Sequence, residues 1–222
     1  MRRGDFEDWI AQGLGLARGA LDVVAVDRGE PLPEPAAAAG VVVTGSSAMV
    51  SEREPWSERT AGWLARAVDG GTPVLGICYG HQLLAYALGG RVGQNPRGRE
   101  IGTVEVRALA PAHGDALLGV LGERAPAHVS HVESVLELPA GALRLAESDL
   151  DPVQGFVFGD AAWGVQFHPE FDADIARGYV AGRRDVLAGE GLDPDALHAA
   201  VRDAPVGPAL LRRFAKWVEA RR

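Results

Sequence analysis

Pro73-Val74-Leu75-Gly76-Ile77-Cys78-Tyr79-Gly80-His81-Gln82-Leu83-Leu84 decides how this chain folds. Residues 73–77 are a short apolar run of the kind that makes a strand buried on both faces. Directly after it, Leu83, Leu84, Ala87 and Leu88 recur at helical spacing until Gly89-Gly90 stops the pattern. Cys78 stands at the junction between Gly76 and Gly80, the G-x-nucleophile-x-G arrangement of a strand-to-helix elbow. Such a turn is tight, so the flanking positions favour residues without a side chain. A helix N-terminus also offers unpaired amides and a dipole that favour thiolate over thiol.

Upstream, Pro55 opens a helix whose face is built by Trp56, Trp63, Leu64, Ala67 and Val68, and Gly70-Gly71 closes it. Val41-Val42-Val43 reads as a strand, and Pro31, Pro33 and Pro35 make the stretch before it a loop. Residues 21–26 are expected to form a further strand, and residues 5–17 a helix with Phe6, Trp9, Ile10 and Leu14 on one face. Strands alternating with helices predict an α/β fold, a mostly parallel sheet flanked by helices. From about residue 91 the pattern changes to alternation, as in Val104 and Val106 or Trp163, Val165 and Phe167, which predicts additional antiparallel strands in the second half. From Asp172 onward helices return, the last carrying Leu210, Leu211, Phe214, Trp217 and Val218 on one face.

The 222 residues carry 22 basic and 30 acidic side chains, a net charge of −8, with 47% apolar and 23% charged residues. One compact domain with a full core fits these figures, and a disordered or fibrous chain does not. An acidic chain without a lysine-rich segment is poorly suited to phosphate backbones, so no nucleic-acid partner is expected. No stretch approaches the roughly 20 apolar residues of a membrane span, and the N-terminus lacks the apolar core of a signal peptide. A cytoplasmic location is therefore expected. The single cysteine allows neither an intramolecular disulfide nor a thiolate metal cluster, leaving core filler, stray thiol or nucleophile.

A nucleophile needs a base. Of six histidines, only His168 has an orienting carboxylate built into its sequence, in Gln166-Phe167-His168-Pro169-Glu170. Pro169 forces an extended turn that can return Glu170 to the imidazole, fixing its tautomer. His81 is expected to be a solvent-screened turn residue, and His113, His128 and His198 to hold surface or core positions.

The string around Cys78, followed about 90 residues later by Gly164-Val165-Gln166-Phe167-His168-Pro169-Glu170, closely resembles the class I, triad-type glutamine amidotransferases. Among them it looks most like the free-standing relatives of the glutaminase domain of GMP synthase, on a flavodoxin-like scaffold. The resemblance covers roughly residues 4–171 of a single domain, with residues 172–222 as a helical extension. It implies a triad of Cys78, His168 and Glu170 that hydrolyses the glutamine side-chain amide through a γ-glutamyl thioester. It implies no cofactor and no metal. The oxyanion would be held by the backbone amides of Tyr79 and Ser46, where Ser46 in Thr44-Gly45-Ser46-Ser47 replaces a glycine of many relatives, so a positive φ there would be strained. Gln82, Ser130, His131 and Gly45 match substrate-binding positions, although Val132 and Glu133 depart from the family's Ser-His-Gly-Asp loop. Glu100 either supports the elbow region or caps a strand.

The resemblance also implies glutamine or a γ-glutamyl compound as the small-molecule partner, and a synthetase subunit that accepts the ammonia. The alternatives are a γ-glutamyl peptidase or hydrolase, and a catalytically silent binding or regulatory protein on the same scaffold. A related peptidase-like superfamily with an elbow cysteine is disfavoured, because the later His-Pro-Glu motif is not expected there. Doubly wound domains usually open on a strand. The chain is therefore expected to start about ten residues late, missing a first strand between residues 21–26 and 41–45.

Overall fold

A computed structural model describes residues 4–221. One seven-stranded sheet organises the molecule. Its first half consists of β1 (Val41–Val43), β2 (Val74–Ile77) and β9 (Ala162–Val165), paired in parallel. The sheet then continues antiparallel through β8 (Gly155–Phe158), β7 (Leu143–Glu147), β4 (Glu100–Ala108) and β5 (Arg124–His131). A small antiparallel pair, β3 (Arg91–Gln94) and β6 (Glu133–Glu137), lies apart from it. Both parts of the expected α/β sheet are thus present, with the parallel strands where Cys78 sits.

Helices cover the two faces. On one, α2 (Pro55–Asp69) and α3 (Tyr79–Ala87) bury Trp63, Leu64, Leu83 and Leu84 against Val74, Phe156 and Ala162. On the other, α1 (Phe6–Leu14) and α7 (Val206–Glu219) bury Ile10, Leu210, Leu211 and Phe214 against Leu75, Ile77, Trp163 and Val165. The two helices touch closely: a Cβ at Gly13 of α1 would run into the Leu211 side chain of α7. Between β9 and α7, α4 (Ala173–Ala181), α5 (Arg184–Gly189) and α6 (Pro194–Ala200) form a satellite layer. There Val180, Leu187 and Val201 pack on Ile101 of β4, and Arg99 pairs with Glu190 at 2.8 Å.

The expected strand at residues 21–26 is absent. An irregular extended stretch runs instead between two 3-10 turns, Arg18–Ala20 and Val26–Arg28, and Val23 is 48% exposed. A run of β-branched residues becomes a strand only when a neighbour accepts its backbone bonds. Among the described residues β1 pairs only with β2, so no ladder reaches residues 21–26. The first helix is also shorter than its pattern suggested, because Gly15 caps it in the left-handed region at φ 75°.

Candidate active site

The elbow forms as the glycine spacing requires. Cys78 caps the N-terminus of α3 at φ 51° and ψ −102°, a conformation rarely adopted by a residue with a side chain and costing roughly 1–3 kcal/mol. Its neighbours explain how the strain is held. A Cβ at Gly76 would strike the backbone carbonyl of Gly80, and a Cβ at Gly80 would come within 2.8 Å of the Val43 carbonyl carbon. The turn is clamped between β1, β2 and α3 with no space to relax. The Cys78 amide donates to Val165 O at 2.9 Å, fixing the elbow to β9.

Beyond β9 the chain crosses the end of the sheet. Gln166 N donates to Gln154 O, and two residues later His168 N donates to His128 O of β5 at 2.7 Å. Pro169 turns the chain and Phe171 N closes the turn on His168 O at 3.3 Å. Glu170 is thereby returned to the imidazole, with its Oε1 2.7 Å from His168 Nδ1. The ring of His168 is stacked on Phe171 at a centroid separation of 4.0 Å and 9°, and Phe6 and Tyr179 stand at 6.3 Å. The start of α7 presses on the same turn: a Cβ at Gly207 would come within 2.5 Å of Pro169 O.

Cys78, His168 and Glu170 are all buried. Burial alone would push the Cys78 thiol up, but the charge and hydrogen bond of His168, with His131 adding to them, bring it below its ordinary value. Burial alone would lower His168, and Glu170 together with Cys78 raise it instead, to about 10. The pair therefore favours thiolate and imidazolium. Glu170 Oε2 is buried without a hydrogen-bond partner.

The other expected positions gather around this group in differing ways. Gly45 brings its backbone against the imidazole, since a Cβ there would stand 2.9 Å from His168 Cε1. Ser46 does not require the left-handed region: among the described residues only Arg53 and Cys78 combine a side chain with positive φ. Its hydroxyl accepts from Ala48 N at 3.1 Å, shaping the loop. Tyr79 is the first residue of α3, so its amide has no intrahelical acceptor, and its hydroxyl donates to Ser57 Oγ. Ser130 places its carbonyl oxygen 3.9 Å from Cys78 Sγ and has a buried hydroxyl without a partner. Gln82 spends its side-chain N–H groups inside the protein, on Glu133 O at 2.7 Å and Gln166 Oε1 at 2.9 Å. His131 turns inward, to Glu100.

Of the remaining histidines, His81 belongs to the core rather than to a screened turn. It is fully buried, its ring lies 5.1 Å from Phe156, and burial pushes it down to about 4. The periodicity of α3 puts it beneath the sheet, where Gly164 makes room: a Cβ there would be 2.6 Å from His81 Nδ1. His128 is buried as well, against Thr103 Oγ1 at 3.1 Å, while His113 and His198 are exposed. Sequence reasoning missed Phe171, whose stacking had its only signal in an aromatic directly after the His-Pro-Glu run. It also missed Ser148 and Gln154, which hydrogen-bond Glu100, and Asp151, which stands 3.9 Å from His131; none of them carries a periodic signal.

The geometry is that of a strained cysteine elbow beside a carboxylate-oriented histidine. The glutamine amidotransferase class-I family model matches residues 4–179, and the chain belongs to this family. It is 33% identical over 172 residues to one of the subunits of a glutamine-hydrolysing GMP synthase from Natronomonas pharaonis, covering 77% of this chain and 86% of that one. A glutamine-hydrolysing GMP synthase of Aeropyrum pernix is 42% identical over 142 residues, 64% of this chain and 25% of the relative. γ-Glutamyl peptidase 5 of Arabidopsis thaliana is 32% identical over 140 residues, 61% of this chain and 55% of the relative. The chain thus spans about a quarter of the Aeropyrum protein and about half of the peptidase. The crystal structure of a glutamine amidotransferase from Thermotoga maritima matches with a TM-score of 0.77 at 26% identity, covering 98% of this chain and 95% of that one. No helix among the described residues is long and apolar enough to cross a membrane.

Proposed function

We propose that this protein hydrolyses the side-chain amide of glutamine, with Cys78 as nucleophile, His168 as general acid and base and Glu170 as its orienting carboxylate. The observation that carries the reading is the strained Cys78 at a helix N-terminus, coupled to an imidazole that Glu170 holds at 2.7 Å. The Cys78 thiolate attacks the carboxamide carbon, and the C=O electron pair moves onto oxygen. The backbone amides of Tyr79 and Ser46 receive that charge, each worth about 3 kcal/mol in comparable sites. On collapse the C–N bond breaks as His168 gives its proton to the departing nitrogen, leaving ammonia and a γ-glutamyl thioester. His168 then takes a proton from water, which adds to the thioester carbon, and the C–S bond breaks. The products are glutamate and the free thiolate.

The whole chain acts as one domain on this reading, its C-terminal helices bracing the His-Pro-Glu turn. Ammonia released here passes to a separate synthetase subunit, which the likeness to one subunit of a GMP synthase supports, and the setting is cytoplasmic. Gly45 and Ser130 line the substrate, and Gln82 braces the loop beside it.

A second reading is supported by a specific feature. Val132 and Glu133 replace the family's Gly-Asp, and Glu133 is buried with Oε1 unpartnered, Oε2 accepting from Ser51 N at 3.3 Å. An altered loop of this kind fits a γ-glutamyl amide other than glutamine, the chemistry named for the peptidase relative. Steady-state hydrolysis of glutamine and of γ-glutamyl dipeptides by the purified chain separates the two. Turnover of glutamine that is lost in Cys78→Ser supports the first; rapid dipeptide cleavage with negligible glutamine turnover supports the second.

A further inference from the structure

Beneath the elbow lies a second buried charge pair that the reaction as described does not use. His131, the last residue of β5, is the cross-strand partner of Glu100, the first residue of β4. Its Nε2 stands 3.1 Å from Glu100 Oε2 and its Nδ1 2.9 Å from Glu133 O, with Asp151 Oδ2 3.9 Å away. Both ring nitrogens therefore face acceptors. A neutral imidazole has one N–H and leaves one of those acceptors unmatched, whereas an imidazolium serves both. Glu100 is filled as a carboxylate would be: Oε1 accepts from Ser148 Oγ at 2.7 Å, and Oε2 also accepts from Gln154 Nε2 at 2.6 Å. Asp151 accepts in turn from Ser134 Oγ and Val153 N. The His131, Glu100 and Asp151 side chains are 1%, 3% and 0% exposed, so little solvent screens the charges.

The position of this pair relates it to the nucleophile. His131 directly follows Ser130, whose carbonyl oxygen is 3.9 Å from Cys78 Sγ. Cys78 is faced by His168 and, further off, by Glu170 from the 166–171 segment and by His131 from β5. His131 is faced by Glu100 from β4, by Asp151 from the loop after β7 and by Cys78 from the elbow. His81 of α3 also lies near His131 and Asp151, and burial keeps it neutral.

We propose that His131, held as an imidazolium by Glu100, is a positioning residue whose fixed positive charge stabilises the Cys78 thiolate. Of the two roles open to Glu100, it thereby takes the support of the elbow region, acting through His131. The direction of the shifts agrees. Burial alone would lower His131, and the Glu100 hydrogen bond with the Asp151 and Cys78 charges raises it instead, while His131 in turn lowers Cys78. The inference rests on the reading of Cys78 as the nucleophile, but its test needs no substrate.

The test is the pH dependence of iodoacetamide alkylation of the only cysteine, read by intact mass, in wild type, His131→Gln and Glu100→Gln. Near-ultraviolet circular dichroism checks that each variant is folded. In His131→Gln the alkylation midpoint should rise by about one pH unit, the scale of a lost neighbouring charge. In Glu100→Gln the imidazolium loses its hydrogen-bonded counterion, leaving only Asp151 at 3.9 Å, and the midpoint should also rise; this variant decides the matter if His131→Gln does not fold. Parallel kinetics should show kcat falling with KM little changed. An unmoved or lowered midpoint in either folded variant overturns the proposal and leaves the pair a structural support. If Cys78→Ser kept full glutamine hydrolysis, the nucleophile reading would fail instead, separately from the alkylation result.

Discussion

His168 Nδ1 lies 2.7 Å from Oε1 of Glu170, two residues further along the chain, and both side chains are withdrawn from solvent. A carboxylate so close to its own histidine is possible because Pro169 makes the intervening turn and Gly207 of α7 blocks its escape. With the carboxylate at Nδ1, Nε2 is the ring nitrogen left for the proposed nucleophile. In the proposed reaction the same bond would stabilise the imidazolium that forms as the thiol is ionised.

Replacing Glu170 by Gln keeps the shape but removes the charge. The expected result is a fall in kcat of about a hundredfold or more, with the thiolate less favoured at neutral pH. Kinetics of the variant with the preferred γ-glutamyl substrate check this, and a change of only a few-fold would show that the carboxylate is dispensable.

Gly80→Ala places a methyl against the Val43 carbonyl in a turn that cannot open. The expected destabilisation is about 1–3 kcal/mol, as for other overpacked interiors, with loss of activity as the elbow shifts. Urea unfolding and activity measured together test it. Unchanged stability would mean that the elbow is not clamped by β1.

Gly207→Ala touches neither Cys78 nor the imidazole. Its methyl meets Pro169 O and Cα, so it should push the His-Pro-Glu turn and lower kcat several-fold, the cost of a small displacement of the proposed general base. Wild-type kcat in this variant would sever the link between the C-terminal helices and the site.

Acid should weaken the fold through His81 and His128, each held by burial at about 4. Unfolded, they bind protons near an ordinary value of about 6.5. A folded value below the unfolded one means that the stability from keeping them neutral is fully present above about pH 6.5 and is lost as the pH falls towards about 4. His81→Gln should flatten the stability profile over that window, measured by denaturant unfolding at several pH values. Parallel slopes for variant and wild type would assign the acid sensitivity elsewhere.

How much of this was legible in the sequence depended on the range of the forces involved. The elbow was legible because Gly76 and Gly80 are dictated by sterics within the turn itself, and Glu170 because Pro169 sets its return locally. Residues 21–26 misled because strand propensity, from Val23, Val24 and Val26, says nothing about whether an edge is free to pair. The pairing of Glu100 with His131 needed the β4–β5 register, and the contact of Gly207 with Pro169 needed the path of α7 across the sheet. Neither is encoded by spacing. Ser46 showed the opposite: the strain expected from a missing glycine vanishes because the loop keeps negative φ there.

The proposed reaction makes Cys78 the nucleophile for a γ-glutamyl group. The most direct measurement is peptide mapping by mass spectrometry after incubation of the folded protein with a diazoketone analogue of glutamine. One covalent adduct per chain is expected, on Cys78, formed more slowly when glutamine is present and absent in His168→Ala. An unlabelled Cys78 in folded protein, or labelling that glutamine does not slow, would contradict it.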